Sequence, residues 1–158
     1  MARVKGGAAR QGGPRHDLIE STSVLPDPSD LRNFAMRYTA AWCSQNSESV
    51  AAFYSSQGSL RVNDGPPAVG RNAISQVAQS FMNTFPDLCV AMDDLRLQGG
   101  EGEYHWTLSG TNTGPGGTGC QVRISGFERW RIGSDGLIAS SEGHFDAAEY
   151  QRQLEQGV

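Results

Sequence analysis

The chain of 158 residues has few of the side chains that covalent catalysis most often uses. Only one of its 13 basic residues is a lysine, Lys5, which lies in the N-terminal tail and excludes Schiff-base chemistry from the folded part. Cys43, Cys89 and Cys120 are far apart and lack the CxxC spacing of a zinc ribbon. An odd number of dispersed cysteines is typical of buried thiols in a reducing compartment, so we expect a cytoplasmic protein.

Long apolar runs and clustered positive charge are also missing. No segment approaches the roughly 20 apolar residues of a membrane span, and the N-terminal segment has no apolar stretch that would make it a secretory signal. The formal net charge of −4 disfavours binding to a phosphate backbone, which needs clustered lysine and arginine. We therefore expect neither a membrane nor a nucleic acid as a partner.

Composition divides the chain into two parts. Residues 1–25 are rich in glycine and arginine and have almost no large apolar side chains, which predicts a disordered N-terminal extension. Residues 26–158 are long enough to bury a core without a disulfide or a structural metal, and we expect them to form a single domain.

Apolar spacing predicts helices first and a sheet afterwards. A helix capped by Asp27 places Leu31, Phe34, Tyr38 and Trp42 on one face. Shorter or later helices are predicted at 47–54, 71–85 and 147–154. Strands are predicted at 59–63, 88–97, 103–112, 121–132 and 137–144, the last four joined as antiparallel hairpins. This order, without βαβ alternation, predicts an α+β fold in which the helices cover one face of a curved antiparallel sheet.

One carboxylate falls on the apolar face of a predicted strand. Alternation along residues 121–132 places Glu128 with Val122, Ile124 and Trp130. Desolvation raises the pKa of a buried carboxyl, which suits it to acid–base catalysis near neutral pH. The alternative, that Glu128 is a structural carboxylate paired with a tyrosine or an arginine, remains open.

Two further titratable residues lie on the last predicted strand. Alternation there places Glu142 and His144 on the face of Ile138, where they could meet Glu128 in one cavity; a solvent-exposed edge pair is the alternative. A metal needs three or four converging ligands, so we expect none. The GxGxxG pattern at 114–119 lies between two strands rather than before a helix, and we expect no dinucleotide and no other cofactor.

Several short motifs recur together in one family. They are Gly70-Arg-Asn-Ala-Ile74, Trp106-Thr-Leu-Ser-Gly-Thr-Asn-Thr-Gly114, Thr118-Gly119, Gly126-Phe-Glu-Arg-Trp-Arg131, Asp135-Gly-Leu-Ile138, Phe145-Asp146 and Gln153-Leu154. In order and spacing the chain resembles the SnoaL-like polyketide cyclases of the ketosteroid isomerase and nuclear transport factor 2-like superfamily. The resemblance implies a cone-shaped antiparallel sheet wrapped on N-terminal helices, also described as a cystatin-like roll, with a deep apolar pocket, in a homodimer without a cofactor.

The resemblance also implies roles for individual residues. Glu128 takes the position of the family's acid–base aspartate, and Asn112 takes that of its histidine, where an amide can polarise a carbonyl group but cannot exchange a proton. We expect a catalytic set of Glu128, Asn112, His144 and Glu142. The expected substrate-binding residues are Tyr104, Trp106, Leu108, Ile124, Trp130, Trp42 and Asn63.

The leading functional hypothesis is a cyclase, isomerase or lyase that abstracts a proton next to the carbonyl group of a hydrophobic small molecule. Glu128 would be the base, and a polar neighbour such as Asn112, Tyr104 or His144 would stabilise the enolate oxygen. One alternative is a non-catalytic module of the same fold that binds a ligand or dimerises. Another is an epoxide or ester hydrolase, for which Glu128 and Glu142 are the one plausible carboxylate pair.

Overall fold

The computed structural model describes residues 28–98 and 101–158, and the predicted extension at 1–25 and the Asp27 cap lie outside these ranges. The helices of the described residues are α1 (Pro28–Cys43), α2 (Ser47–Ala51), α3 (Arg71–Thr84) and α4 (Ala147–Gln156). The strands are β1 (Tyr54–Val62), β2 (Ala68–Val69), β3 (Cys89–Gln98), β4 (Glu101–Thr111), β5 (Gln121–Ile132) and β6 (Ile138–Phe145). The α+β prediction is confirmed. None of these helices has the length and apolar character needed to span a membrane.

The six strands form one sheet in the order β2-β1-β6-β5-β4-β3. Strands β3 to β6 pair as successive antiparallel neighbours, as their glycine-rich connections predict. The parallel pairing of β1 with β6 was not predicted, because it joins strands from opposite ends of the domain and leaves no local turn signal. It places β1 next to β6, which in turn pairs with β5.

The segment after α2 differs from its prediction. A helix at 47–54 was expected, but α2 ends at Ala51 and Tyr54 is already the first residue of β1. Tyr54 pairs with Ile138 on β6 and is fully buried. The helical spacing of Val50, Ala51 and Phe53 is overridden because tertiary pairing gives an aromatic residue a buried strand position.

A bulge in β6 changes which of its side chains face the interior. Ile132 pairs with Ile138, whereas Arg131 pairs with Ser140, so Ala139 is an extra residue on β6. As a result Ile138, Ser141 and Gly143 are buried and Phe145 packs against the core, while Glu142 and His144 face outward. The prediction that Glu142 and His144 share the face of Ile138 is therefore wrong.

The cysteines are more accessible than predicted. Cys43 and Cys89 are exposed, and Cys120 is half-buried. Cys43 ends α1 and Cys89 begins β3, which is an edge strand of the sheet. The prediction of buried thiols is wrong because these residues stand at the ends of elements, where the core no longer covers them.

The centre of the core is aromatic. Tyr38 on α1 makes edge-to-face contacts with Trp42, Phe53, Tyr104 and Trp130 at centroid distances between 5.1 and 6.4 Å. Tyr104 stacks on Trp130 at 4.9 Å, with an angle of 13° between the rings. Such contacts add to the burial free energy and hold the rings in one arrangement. This cluster surrounds the buried carboxyl described next.

Candidate active site

Glu128 lies in the middle of β5 and points into the interior, as alternation along this strand predicts. It pairs with Tyr104 on β4 and with Gly143 on β6, and it is 8 % exposed. A carboxyl this deeply buried needs hydrogen-bond partners. The structure supplies them from α1, β5 and β6.

One oxygen of the carboxyl accepts three hydrogen bonds. The Tyr38 hydroxyl donates to Glu128 Oε1 at 3.0 Å, the Trp130 indole Nε1 at 2.8 Å and the Ser141 hydroxyl at 2.9 Å. All three donors are neutral, and no arginine takes part in this set. Oε2 takes part in none of these three bonds.

A second tyrosine extends the network. The Tyr54 and Tyr38 hydroxyls are 2.8 Å apart. Because Tyr38 uses its only proton in the bond to Glu128, Tyr54 must be the donor in this pair. The hydroxyl protons are therefore ordered from Tyr54 through Tyr38 to the carboxyl.

Burial controls the titration of these groups. It raises the pKa of Glu128, and the hydrogen bonds from Trp130, Ser141 and Tyr38 offset part of that effect. Burial also raises the pKa of Tyr38 and of Tyr54 well above the ordinary tyrosine value, and the nearby Glu128 charge adds to it. The tyrosines remain hydrogen-bond donors, and Glu128 is the member of the network whose proton is most easily exchanged.

The raised pKa of Glu128 predicts a pH-dependent effect of Glu128→Gln on stability. Above the ordinary glutamate pKa of 4.5, the unfolded chain loses this proton before the folded chain does. The stability that Glu128 contributes is thus present below that value and falls as pH rises through the folded-state pKa. Glutamine does not titrate, so the melting temperature of the variant minus that of the wild type should increase with pH. A difference that stays constant from acid to neutral pH would contradict the assignment.

An apolar cavity of about 60 Å³ opens next to this network. It is lined by Trp42, Leu60, Val62, Val77, Phe81, Val90, Trp106, Leu108, Ile124, Gly143, Phe145 and Tyr150. Gly143 is the lining residue next to Glu128, because a Cβ built on it would lie 3.7 Å from Glu128 Cγ. The indole N–H groups of Trp42 and Trp106, two other lining residues, are buried and find no hydrogen-bond partner in the described part of the chain.

The expected substrate-binding residues fall into three groups. Trp42, Trp106, Leu108 and Ile124 line the cavity. Tyr104 and Trp130 are buried behind the carboxyl, and the Tyr104 hydroxyl lies 2.6 Å from Thr39 Oγ1. Asn63 accepts a hydrogen bond from the backbone N–H of Phe145 at 3.0 Å and lines a separate surface groove. A role in binding stays a prediction for all of them.

Asn112 does not meet Glu128. Its amide Nδ2 donates to Thr118 Oγ1 and to the Leu154 carbonyl oxygen, each at 3.2 Å. The backbone of Asn112 also bonds to Cys120 and Gly119 across the same loop. In this structure Asn112 therefore fastens the loop after β4 to helix α4.

His144 and Glu142 lie on the outer face of the sheet. His144 packs on Phe127 at a centroid distance of 5.0 Å and lines the surface groove that contains Asn63. Glu142 is exposed and pairs in register with Arg129. Neither side chain is brought together with Glu128.

Sequence reasoning missed three residues that contact the carboxyl network. Tyr38 and Tyr54 were assigned to apolar helix faces, although a tyrosine at a core position signals a hydroxyl that needs a partner. Ser141 could not be identified, since its inward orientation depends on the bulge at Ala139. These residues show that the network is assembled from three separate elements.

Comparisons with known proteins agree with this architecture. A family model described as SnoaL-like polyketide cyclase matches residues 32–154. Among solved structures, TsrD from Streptomyces laurentii is similar with 20% identity and a TM-score of 0.70, covering 82% of this chain and 97% of TsrD. A hypothetical protein with a ketosteroid isomerase-like fold from Catenulispora acidiphila, in complex with trimethylamine, has 15% identity and a TM-score of 0.68, covering 77% of this chain and 91% of that one. No curated protein sequence matches. The predicted fold is confirmed.

Proposed function

We propose, from the premise that the chain belongs to the SnoaL-like polyketide cyclase family, that Glu128 moves a proton next to the carbonyl group of a hydrophobic small molecule. The observation that carries this proposal is the buried, hydrogen-bonded carboxyl beside an apolar cavity. Burial raises the pKa of Glu128 toward the range in which a carboxyl can both accept and return a proton near neutral pH. The product would be an isomer, a cyclised compound or an elimination product.

The hydrogen-bond geometry supports different roles for the two oxygens of the Glu128 carboxyl group. Oε1 is held by Tyr38, Trp130 and Ser141, so Oε2 takes the proton from the carbon next to the carbonyl group. The three donors fix the carboxyl and stabilise its charged form before the reaction. The proton then returns to another atom of the substrate, or the enolate carbon attacks a second carbonyl carbon and closes a ring.

The developing enolate oxygen needs a donor, and the expected candidates are not placed to supply one. Asn112 and His144 lie elsewhere, and the Tyr104 hydroxyl lies 2.6 Å from Thr39 Oγ1. Trp42 and Trp106 support a different assignment, because both have a buried indole N–H without a partner in the part of the chain described and both rings line the cavity. We assign one of these two indole N–H groups as the donor to the substrate oxygen.

The cavity favours a compact substrate. Its volume of about 60 Å³ is far below the roughly 300–1,000 Å³ of a typical ligand site. The similar protein from Catenulispora acidiphila is in complex with trimethylamine, which supports a small ligand in this type of fold. A larger polyketide would require movement of half-buried lining residues such as Phe81 and Tyr150, which belong to α3 and α4.

Gly143→Ala is expected to hinder access of the substrate to Glu128 while leaving the folding of the protein unchanged. The new methyl group would meet Glu128 Cγ at 3.7 Å and Arg61 O at 3.6 Å, which are ordinary contacts, so stability should change by less than about 1 kcal/mol. The methyl group would occupy the connection between the cavity and the carboxyl. We expect at least about tenfold slower deuterium exchange in cyclopentanone, followed by NMR, with an unchanged melting temperature.

Gly102→Ala is the matched control for this experiment. Gly102 is another buried glycine of the sheet, and its added Cβ would lie 3.4 Å from Leu31 Cδ2 and 3.7 Å from Trp130 Cε3, ordinary contacts with residues that do not line the cavity. Exchange should proceed in this variant as in the wild type. Equal loss of exchange in both glycine variants would show that Gly143 does not provide access to Glu128.

A non-catalytic ligand-binding module is the second candidate. It is favoured by the lining of the cavity, which offers no titratable side chain besides the Tyr150 phenol. Binding of cyclopentanone without any exchange above the rate in buffer would support this module over the enzyme. The hydrolase alternative loses its carboxylate pair because Glu142 is on the outer face. Dimer formation and a cytoplasmic location remain predictions.

A further inference from the structure

Cys43 and Cys89 are two exposed cysteines located where the end of α1 contacts the edge of the sheet. Cys43 Sγ lies 3.2 Å from the backbone nitrogen of Val90 and 3.3 Å from its carbonyl oxygen. That nitrogen belongs to the peptide group that joins Cys89 to Val90. The Cys43 sulfur is therefore held against the backbone of Cys89, and both residues are open to solvent.

We propose that Cys43 and Cys89 form a reversible disulfide that ties α1 to β3. β3 is an edge strand, so the thiol of Cys43 occupies a place where a neighbouring strand would otherwise bond to Val90. The cysteines are 46 positions apart in the sequence (89 − 43), so the bond would close a long loop. Cys120 does not share this arrangement, because its thiol contacts the Glu155 carbonyl oxygen at 3.5 Å.

The thiols influence each other's chemistry. Partial burial raises the pKa of the Cys89 thiol, and the neighbouring Cys43 sulfur raises it further. A thiol of this kind is a poor nucleophile in its protonated form, so the pair stays reduced until an oxidised partner and a thiolate are both available.

The oxidant is a low-molecular-weight disulfide. One cysteine thiolate attacks a sulfur of that disulfide, forms a mixed disulfide and releases one small thiol. The second cysteine thiolate attacks the protein sulfur of the mixed disulfide and releases the other small thiol. The two protein thiols together lose two electrons and two protons, and the reagent is reduced to two thiols.

The proposed disulfide would lie next to two residues of the cavity wall. Trp42 precedes Cys43 and Val90 follows Cys89, and both of these neighbours line the cavity. A bond between the cysteines would hold together the two elements that carry these wall residues. The redox state of the pair would then set how far α1 and β3 can separate, independently of any chemistry at Glu128.

The test is oxidation of the full-length protein with excess glutathione disulfide at about pH 8.5, where free thiols are partly ionised. We expect loss of two hydrogen atoms in the intact mass, a peptide linking Cys43 to Cys89 after non-reducing digestion, and a free Cys120. The melting temperature should rise by several degrees and return when a reductant is added. Separate glutathione adducts on Cys43 and Cys89 without a linked peptide would overturn the proposal.

Single serine variants provide the controls. Cys43→Ser keeps a group that can bond to Val90, and Cys89→Ser changes an exposed position, so both should fold. In each of these two variants the remaining cysteine of the Cys43–Cys89 pair should stop at the glutathione adduct. The rise in melting temperature on oxidation should then vanish. Cys120→Ser should form the linked peptide as the wild type does. A rise in melting temperature that persists in Cys89→Ser would also overturn the proposal.

Discussion

Glu128→Gln is expected to slow deuterium exchange next to the carbonyl group of cyclopentanone by about 10²–10⁴-fold, the usual contribution of a general base. Glutamine keeps the shape of the side chain and an oxygen that can accept from Tyr38, Trp130 and Ser141. It cannot take a proton from carbon near neutral pH. The loss should appear in the exchange rate measured by NMR, while the fold is retained.

Glu103→Gln is the matched control. Glu103 lies on the neighbouring strand β4 with its carboxylate on the outer face, where it contacts His105 at 2.8 Å. Its substitution removes the same charge from the same sheet without touching the cavity. Exchange should be unaffected. If Glu128→Gln exchanged deuterium as fast as this control, Glu128 would not be the base.

Tyr38→Phe is expected to produce the largest loss of stability among the conservative substitutions in the network. It removes one donor to Glu128 and leaves the buried Tyr54 hydroxyl without its acceptor. An unsatisfied buried polar group costs about 1–3 kcal/mol, so the free energy of unfolding should fall by about 2–4 kcal/mol. Urea denaturation, analysed with the same m-value for the variant and the wild type, measures this change in the free energy of unfolding.

The same substitution should change the pH dependence of exchange. The Tyr38 hydrogen bond lowers the pKa of Glu128 against the effect of burial. Without it the carboxyl keeps its proton to higher pH, and the rise of the exchange rate with pH should move upward. Tyr104→Phe is the control, since the Tyr104 hydroxyl meets Thr39, which also bonds to the Ala35 carbonyl oxygen. A pH profile that moved equally in both variants would contradict the network.

The interior position of Glu128 was predictable because β5 is regular. Along Gln121–Ile132 every second residue faces the core, so alternation identified the buried carboxylate and its neighbours Ile124 and Trp130. Trp106 and Leu108 on β4 follow the same rule. Where a strand has no bulge, the amino-acid order alone assigns each side chain to a face.

Strand alternation could not identify the hydrogen-bond partners of Glu128, for physical reasons. The bulge at Ala139 reverses the alternation of β6, so Ser141 turns inward while Glu142 and His144 turn outward. Tyr38 reaches the carboxyl because α1 packs across the sheet, and that docking depends on the whole core. Asn112 matched a family position in the sequence, but its loop turns its amide toward Leu154 in α4.

The most direct test of the account is an infrared titration of the carboxyl band that Glu128→Gln removes, in the protein without a ligand. The wild type should show a protonated carboxyl that persists above the ordinary glutamate value of 4.5, because burial raises the pKa of Glu128. Tyr38→Phe should extend that range further upward. A band that disappears at or below the ordinary value would contradict the assignment of Glu128 as the acid–base group of this site.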